Sequence, residues 1–104
     1  MQRHINDMMA GEHIVLIFPT YRDAREAANS RCPPGAINIL SEIRLEHRPS
    51  AGWIQFGYAG MNCERLQGIL ADIRFVSDAD LLVTSQFKDF ARERSDRYIK
   101  HNGL

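Results

Sequence analysis

His13-Ile14-Val15-Leu16-Ile17-Phe18-Pro19-Thr20 is the stretch on which the fold class turns. A continuous β-branched and apolar run of this length reads as a strand covered on both faces, as inside a parallel sheet. Pro19 and Thr20 stop it, and Thr20 stands where it can cap a helix over residues 21–31. Within that helix Ala24, Ala27 and Ala28 form a small packing face. Upstream, residues 1–10 place Ile5, Met8 and Met9 on one helical face, and Gly11 ends the segment. A buried strand held between two helices makes the chain α/β.

Downstream, Cys32-Pro33-Pro34-Gly35 breaks the second helix. From Ala36 to Arg48, Ile37, Ile39, Ile43 and Leu45 share one parity, while Asn38, Glu42, Arg44 and Glu46 share the other. That alternation predicts one strand with a wet face. After the turn Pro49-Ser50-Ala51-Gly52, residues 53–58 resume strand character with Ile54, Phe56 and Tyr58 in step. The two segments are expected to pair as an antiparallel hairpin. Asn62 is placed to cap a short helix reaching Leu70, and Ile73 to Ser77 reads as a further strand, with residues 81–84 extending it or forming a loop. Thr84 or Ser85 then caps a last helix with Phe87, Phe90, Ala91 and Tyr98 on one stripe. The expected architecture is one α/β domain over residues 1–104. It has a small, mostly parallel sheet, one antiparallel hairpin and flanking helices.

Composition narrows the function classes. The 104 residues are 44% apolar and 25% charged, with formal net charge zero, so no global field favours nucleic acid or a membrane surface. The longest apolar run, Ile14 to Phe18, is too short to span a bilayer, and no basic start followed by an apolar segment marks a secretory signal. Cys32 and Cys63 are far apart, and His4, His13, His47 and His101 follow no zinc-ligand spacing. A reducing cytoplasm is the expected setting (the host's, if the chain is viral), with no membrane partner. No cofactor is expected unless Mg²⁺ is bound at the acidic pair described below.

Two stretches carry a family resemblance. The strand ending in Phe18-Pro19-Thr20, followed by the helix from Tyr21, resembles part of a helicase-like ATPase core. Trp53-Ile54-Gln55-Phe56-Gly57-Tyr58 followed by Glu64-Arg65-Leu66-Gln67-Gly68-Ile69-Leu70-Ala71-Asp72 looks like the segment leading to the Walker B strand of phage terminase large subunits. Residues 73–78 would then be a degenerate Walker B strand. The resemblance implies a partial P-loop-NTPase-like, RecA-like core. The sequence departs from that family where its chemistry lies. It has no G-x-x-x-x-G-K-[ST] loop, Ala79 stands where a water-activating Glu is required, and Arg74 interrupts the apolar strand. The resemblance therefore implies a non-catalytic binding or regulatory domain, acting on a protein partner in phage-type or other DNA transactions.

Other constellations suggest alternatives. Asp78-Ala79-Asp80 would put two carboxylates on one side of a continuing strand, suited to Mg²⁺, and a D-x-D after a strand also looks like half of a Toprim-type nuclease site. Arg92, Arg94, Arg97 and Lys100 on the last helix, with Arg65 and Gln67 before it, are candidates for contact with a protein or nucleic-acid partner. The aromatics Trp53, Phe56 and Tyr58 are candidates for base stacking. A structural protein assembling through the hairpin edge is the third alternative.

Overall fold

The computed structural model describes residues 1–102. Three helices, α1 (Gln2–Met9), α2 (Tyr21–Ser30) and α3 (Ser85–His101), enclose a five-stranded sheet. Its strands are β1 (His13–Phe18), β2 (Ala36–Ile39), β3 (Arg44–His47), β4 (Gly52–Tyr58) and β5 (Asp72–Phe75), in the order β2-β3-β4-β1-β5. β1 runs parallel to both β4 and β5, with Ile14 beside Ile54 and Asp72. β3 is antiparallel to β4 and to β2, so it alone runs against the rest.

The apolar run of β1 is buried from Ile14 to Phe18, as its composition requires. Its even-numbered residues Ile14, Leu16 and Phe18 join Ile54, Phe56 and Leu45 on one face, packed under Ile5 and Met8 of α1 and Ala24 and Ala28 of α2. Its odd-numbered Val15 and Ile17 join Ile73, Leu66 and Ala79 on the other, beneath Phe87 and Ala91 of α3. Both long caps form as expected. The Thr20 hydroxyl accepts from Asp23 N at 3.1 Å, and the Thr84 hydroxyl accepts from Phe87 N at 3.0 Å.

The sheet is more mixed than the sequence suggests, because residues 36–48 are two strands. Leu40–Glu42 forms a 3-10 turn and Ile43 adopts a left-handed conformation (φ 44°, ψ 61°), folding β2 back onto β3. The pairing sets Asn38 opposite Leu45, so Ile37 and Ile39 lie on the face away from Leu45. Period two continues across the turn residues, and the alternation conceals the reversal. Two further spans are shorter than expected. Cys63–Leu66 is a 3-10 turn rather than a helix to Leu70, and β5 stops at Phe75 rather than Ser77.

Both sheet edges are covered by polar contacts. On β5, the Ile73 N–H donates to Ser95 Oγ of α3 at 2.8 Å, and that hydroxyl donates to Ile73 O at 3.2 Å. On β2, the Ala36 N–H donates to Pro33 O, and Cys32 Sγ approaches Ala36 O at 3.3 Å. Such closures reduce the template for strand addition.

Two contacts fix α1. Gly52 lies against its last turn so closely that a Cβ there would stand 1.9 Å from Met8 O. Arg74, the charge that breaks the apolar pattern of β5, turns toward α1 and gathers acceptors. Its Nη1 donates to Asp7 Oδ2 at 2.7 Å and meets His4 Nδ1 at 2.9 Å, its Nε donates to Asp72 Oδ2 at 2.8 Å, and Glu12 lies 3.9 Å from Nη2. Burial disfavours the Arg74 charge, but its hydrogen bonds to Asp72 and Asp7 outweigh that and raise its pKa. Glu12 is shifted up, by burial first and then by Asp7. His4 is shifted down, by burial first and then by the Arg74 charge.

Two outcomes are expected. Gly52→Ala forces backbone apart and should destabilise the fold by about 3 kcal/mol in urea unfolding; a change within experimental error contradicts this packing. For His4, a lowered folded pKa gives stability that is present above its ordinary 6.5 and is lost as pH falls through that range. The raised Glu12 acts oppositely nearer its ordinary 4.5, losing stability as pH rises through its folded value. Unfolding free energy should therefore decrease between about pH 7 and about pH 6, and His4→Gln should flatten that slope.

Candidate functional site: the crevice at the carboxyl end of β4

β1 and β4 are parallel neighbours whose chains leave in opposite directions. After Phe18 the chain passes to α2, which packs on the Ile14–Leu16 face; after Tyr58 it passes to the Cys63–Leu66 turn, whose Leu66 packs on the Val15–Ile17 face. Divergent connections at adjacent carboxyl ends leave a crevice between them, the usual ligand position in open α/β sheets. A crevice of about 330 Å³ opens at the carboxyl end of β4; Tyr21 lines it from the connection after β1, and no residue of β1 itself does. Half-buried Met61 and Ile69 supply apolar surface over the buried Phe56 and Leu66, and Tyr21, Tyr58 and Arg65 supply polar groups around it. Ser41, Glu42 and Ile43 close the side nearest the β2–β3 turn.

Each wall is held by local chemistry. The Tyr21 and Tyr58 rings meet edge to face, with centroids 5.4 Å apart and planes at 82°. The β2–β3 turn is fastened to β4, with Phe56 N donating to Ile43 O at 3.0 Å and Gln55 Nε2 to Glu42 O at 2.7 Å. Those bonds hold β-branched Ile43 in its left-handed conformation, which costs about 1–2 kcal/mol. On the opposite wall Asn62 Oδ1 accepts from Glu64 N at 3.0 Å and starts the turn that carries Arg65.

Arg94 secures the rest of that turn. Its Nη1 donates to Gln67 O at 2.7 Å, with Leu66 O at 3.4 Å and Ile69 O also within reach. Its guanidinium lies 4.8 Å from the Phe90 ring centroid, and the residue is 9% exposed. Thus one of the candidate partner-binding cations faces inward and positions the Arg65 wall. A cue to this is legible in helical spacing, since Arg94 lies three residues after Ala91 and four before Tyr98 on the buried stripe, but the surrounding run of charged residues masks it.

The remaining candidates disperse. Gln67 is exposed and joins the clamp only through its main-chain oxygen. Arg92, Arg97 and Lys100 share the outer face of α3 with Asp89, Glu93 and Asp96, and Arg97 pairs with Glu93. Asp78 and Asp80 are exposed and flank Ala79 at a 3-10 turn beyond the end of β5, so no continuing strand aligns them. Among the described residues no group of three or more His, Cys, Asp or Glu side chains is arranged to hold a metal ion.

The three hairpin aromatics meet different fates. Phe56 is buried. Trp53 stacks on His13 (4.9 Å, 16°) on the β1 side and carries Arg44 at 4.2 Å on the β3 side, so both faces of its ring are occupied. Only Tyr58 opens on the crevice, together with Tyr21, and both stand directly at or beyond the end of a parallel strand.

Replacing Arg94 by Met keeps an unbranched apolar stem and removes the guanidinium donors. The change should cost about 2 kcal/mol of stability and accelerate amide hydrogen exchange through residues 63–69. Unchanged exchange there would show that the clamp does not hold the wall. Comparison of the chain with protein-family models, with curated proteins and with solved structures returns no match.

Proposed function

We propose that this chain is a non-catalytic binding or regulatory domain, a framework resembling a truncated RecA-like ATPase core that works by engaging a protein partner, in phage-type or other DNA transactions. The observation that carries the reading is Ala79. The resemblance to terminases puts this residue where a water-activating Glu is required, and its methyl is fully buried in the core beneath α3. A carboxylate there would have to displace packed apolar atoms and lose its hydration. Further support comes from β1, which ends in Phe18-Pro19-Thr20, and β5, which the resemblance reads as a degenerate Walker B strand; they run parallel and side by side. The position open to a binding partner is the crevice at the end of β4, bearing Tyr21, Tyr58 and Arg65.

The test has two parts. Calorimetry with ATP or ADP and Mg²⁺ should register no binding at micromolar affinity, and such binding would defeat the non-catalytic reading. Affinity capture should retain a protein that is lost when Tyr58→Ala and Arg65→Ala are combined. Equal capture by both forms would remove the crevice from the binding surface.

A further inference from the structure

The reading above leaves open what chemistry the crevice recognises, and the lining narrows it. Half-buried Met61 and Ile69 present apolar surface over the buried Phe56 and Leu66, so a small apolar body can be desolvated against them. Around it stand the Arg65 guanidinium and the phenols of Tyr21 and Tyr58. Among the described residues none of these three polar ends is hydrogen-bonded or ion-paired within the chain. Among the described residues Arg22, Arg44, Arg74, Arg94 and Arg97 meet carboxylates; Arg3, Arg25, Arg48, Arg65 and Arg92 do not, and of these Arg65 lines the crevice. Arg65 is free to form a two-pronged contact with an incoming anion, the geometry that a planar guanidinium favours.

The opposite rim sets a limit. Glu42 lines the crevice from the β2–β3 turn, and its own main-chain oxygen is taken by Gln55. Its carboxylate forms no ion pair among the described residues. One cation and one anion on facing walls suit a ligand with a single negative head and disfavour a second negative charge on the Glu42 side. The volume of about 330 Å³ is at the small end of ligand pockets and suits one aliphatic or aromatic group.

We propose that the crevice at the carboxyl end of β4 binds a monocarboxylate with an apolar body, its carboxylate on Arg65 and its apolar part against Met61 and Ile69. This rests on the reading of the crevice as a binding site and adds the chemical class. The group comes either as a free small acid or as the carboxylate-bearing end of a partner chain. Both sources present the same chemistry to Arg65.

The experiment is an amide-resolved NMR titration of the whole chain. The probes are phenylpropionate, the uncharged phenylpropanol, the dicarboxylate phenylsuccinate, and a short peptide ending in Phe with a free or an amidated carboxyl group. Phenylpropionate should give saturable shifts confined to the crevice, centred on Tyr21, Tyr58, Met61 and Arg65. It should bind about tenfold tighter than phenylpropanol, the advantage of a charge-assisted contact, and tighter than phenylsuccinate. Arg65→Gln, a change at an exposed position, should erase the advantage over the alcohol while leaving alcohol binding unchanged. A free-carboxyl peptide that binds at least as tightly as phenylpropionate, with its amide weaker, assigns the group to a chain end. A peptide that binds more weakly than phenylpropionate assigns it to a free acid. Equal binding of acid and alcohol, indifference to Arg65→Gln, or shifts scattered outside the crevice would overturn the proposal. If no probe shifts the crevice while partner capture still depends on Tyr58 and Arg65, the carboxylate class is wrong and the binding surface stands.

Discussion

β1 is the constraint from which the rest of the molecule follows. Its residues from Ile14 to Phe18 are buried on both faces, and each large apolar side chain so buried contributes about 1.5–3 kcal/mol. A strand in that position requires a helical layer on each side and a neighbour along each edge. β4 and β5 supply the neighbours, α1 and α2 one layer, and α3 with the Cys63–Leu66 turn the other. The chain leaving β1 heads toward β2 and the chain leaving β4 heads toward β5, in opposite directions across the sheet, so right-handed crossovers carry them to different faces. The crevice is therefore a consequence of topology before it is a matter of side chains.

What could be read from the sequence tracks how local its cause is. The burial of β1, the Thr20 cap and the Thr84 cap depend on residues within a few positions of one another, and all three could be read directly. The β2–β3 reversal could not. It depends on Ile43 accepting a left-handed conformation, which an isoleucine disfavours and which bonds from β4 hold in place. Alternation continues in phase through Leu40–Glu42, so periodicity alone gives one long strand where there are two.

The arginines illustrate the same limit from the polar side. Arg74 and Arg94 look like an interruption and a surface charge in the sequence, but each organises a part of the fold. Arg74 binds α1 to the edge strand through Asp7 and Asp72, partners at very different sequence distances. Arg94 reaches main-chain oxygens of Leu66, Gln67 and Ile69, acceptors with no residue-type signature at all. Of the candidate contact residues, Arg65 and Tyr58 line the crevice with polar groups and Phe56 lies buried beneath it, and Tyr21 joins them because the chain turns at Pro19-Thr20.

The distribution of polar work gives the crevice its distinctive character. A buried guanidinium is costly unless its donors are met; Arg74 finds carboxylates at good distances, and Arg94 reaches carbonyls through Nη1 while its buried Nε has only Glu93, 3.8 Å away. Trp53 has an occupied surface on each side, and the sheet edges at Ile73 and Ala36 are bonded to Ser95, Pro33 and Cys32. Against that background, the free polar ends of Tyr21, Tyr58 and Arg65 stand beside apolar atoms at a place where the backbone of Ile43 carries strain. Strain held by surrounding bonds is tolerated where the shape it maintains is useful. The β2–β3 turn, fastened to β4 through Ile43 and Gln55, keeps the wall opposite Arg65 in position, so the crevice is preformed and a ligand entering it has little chain to order.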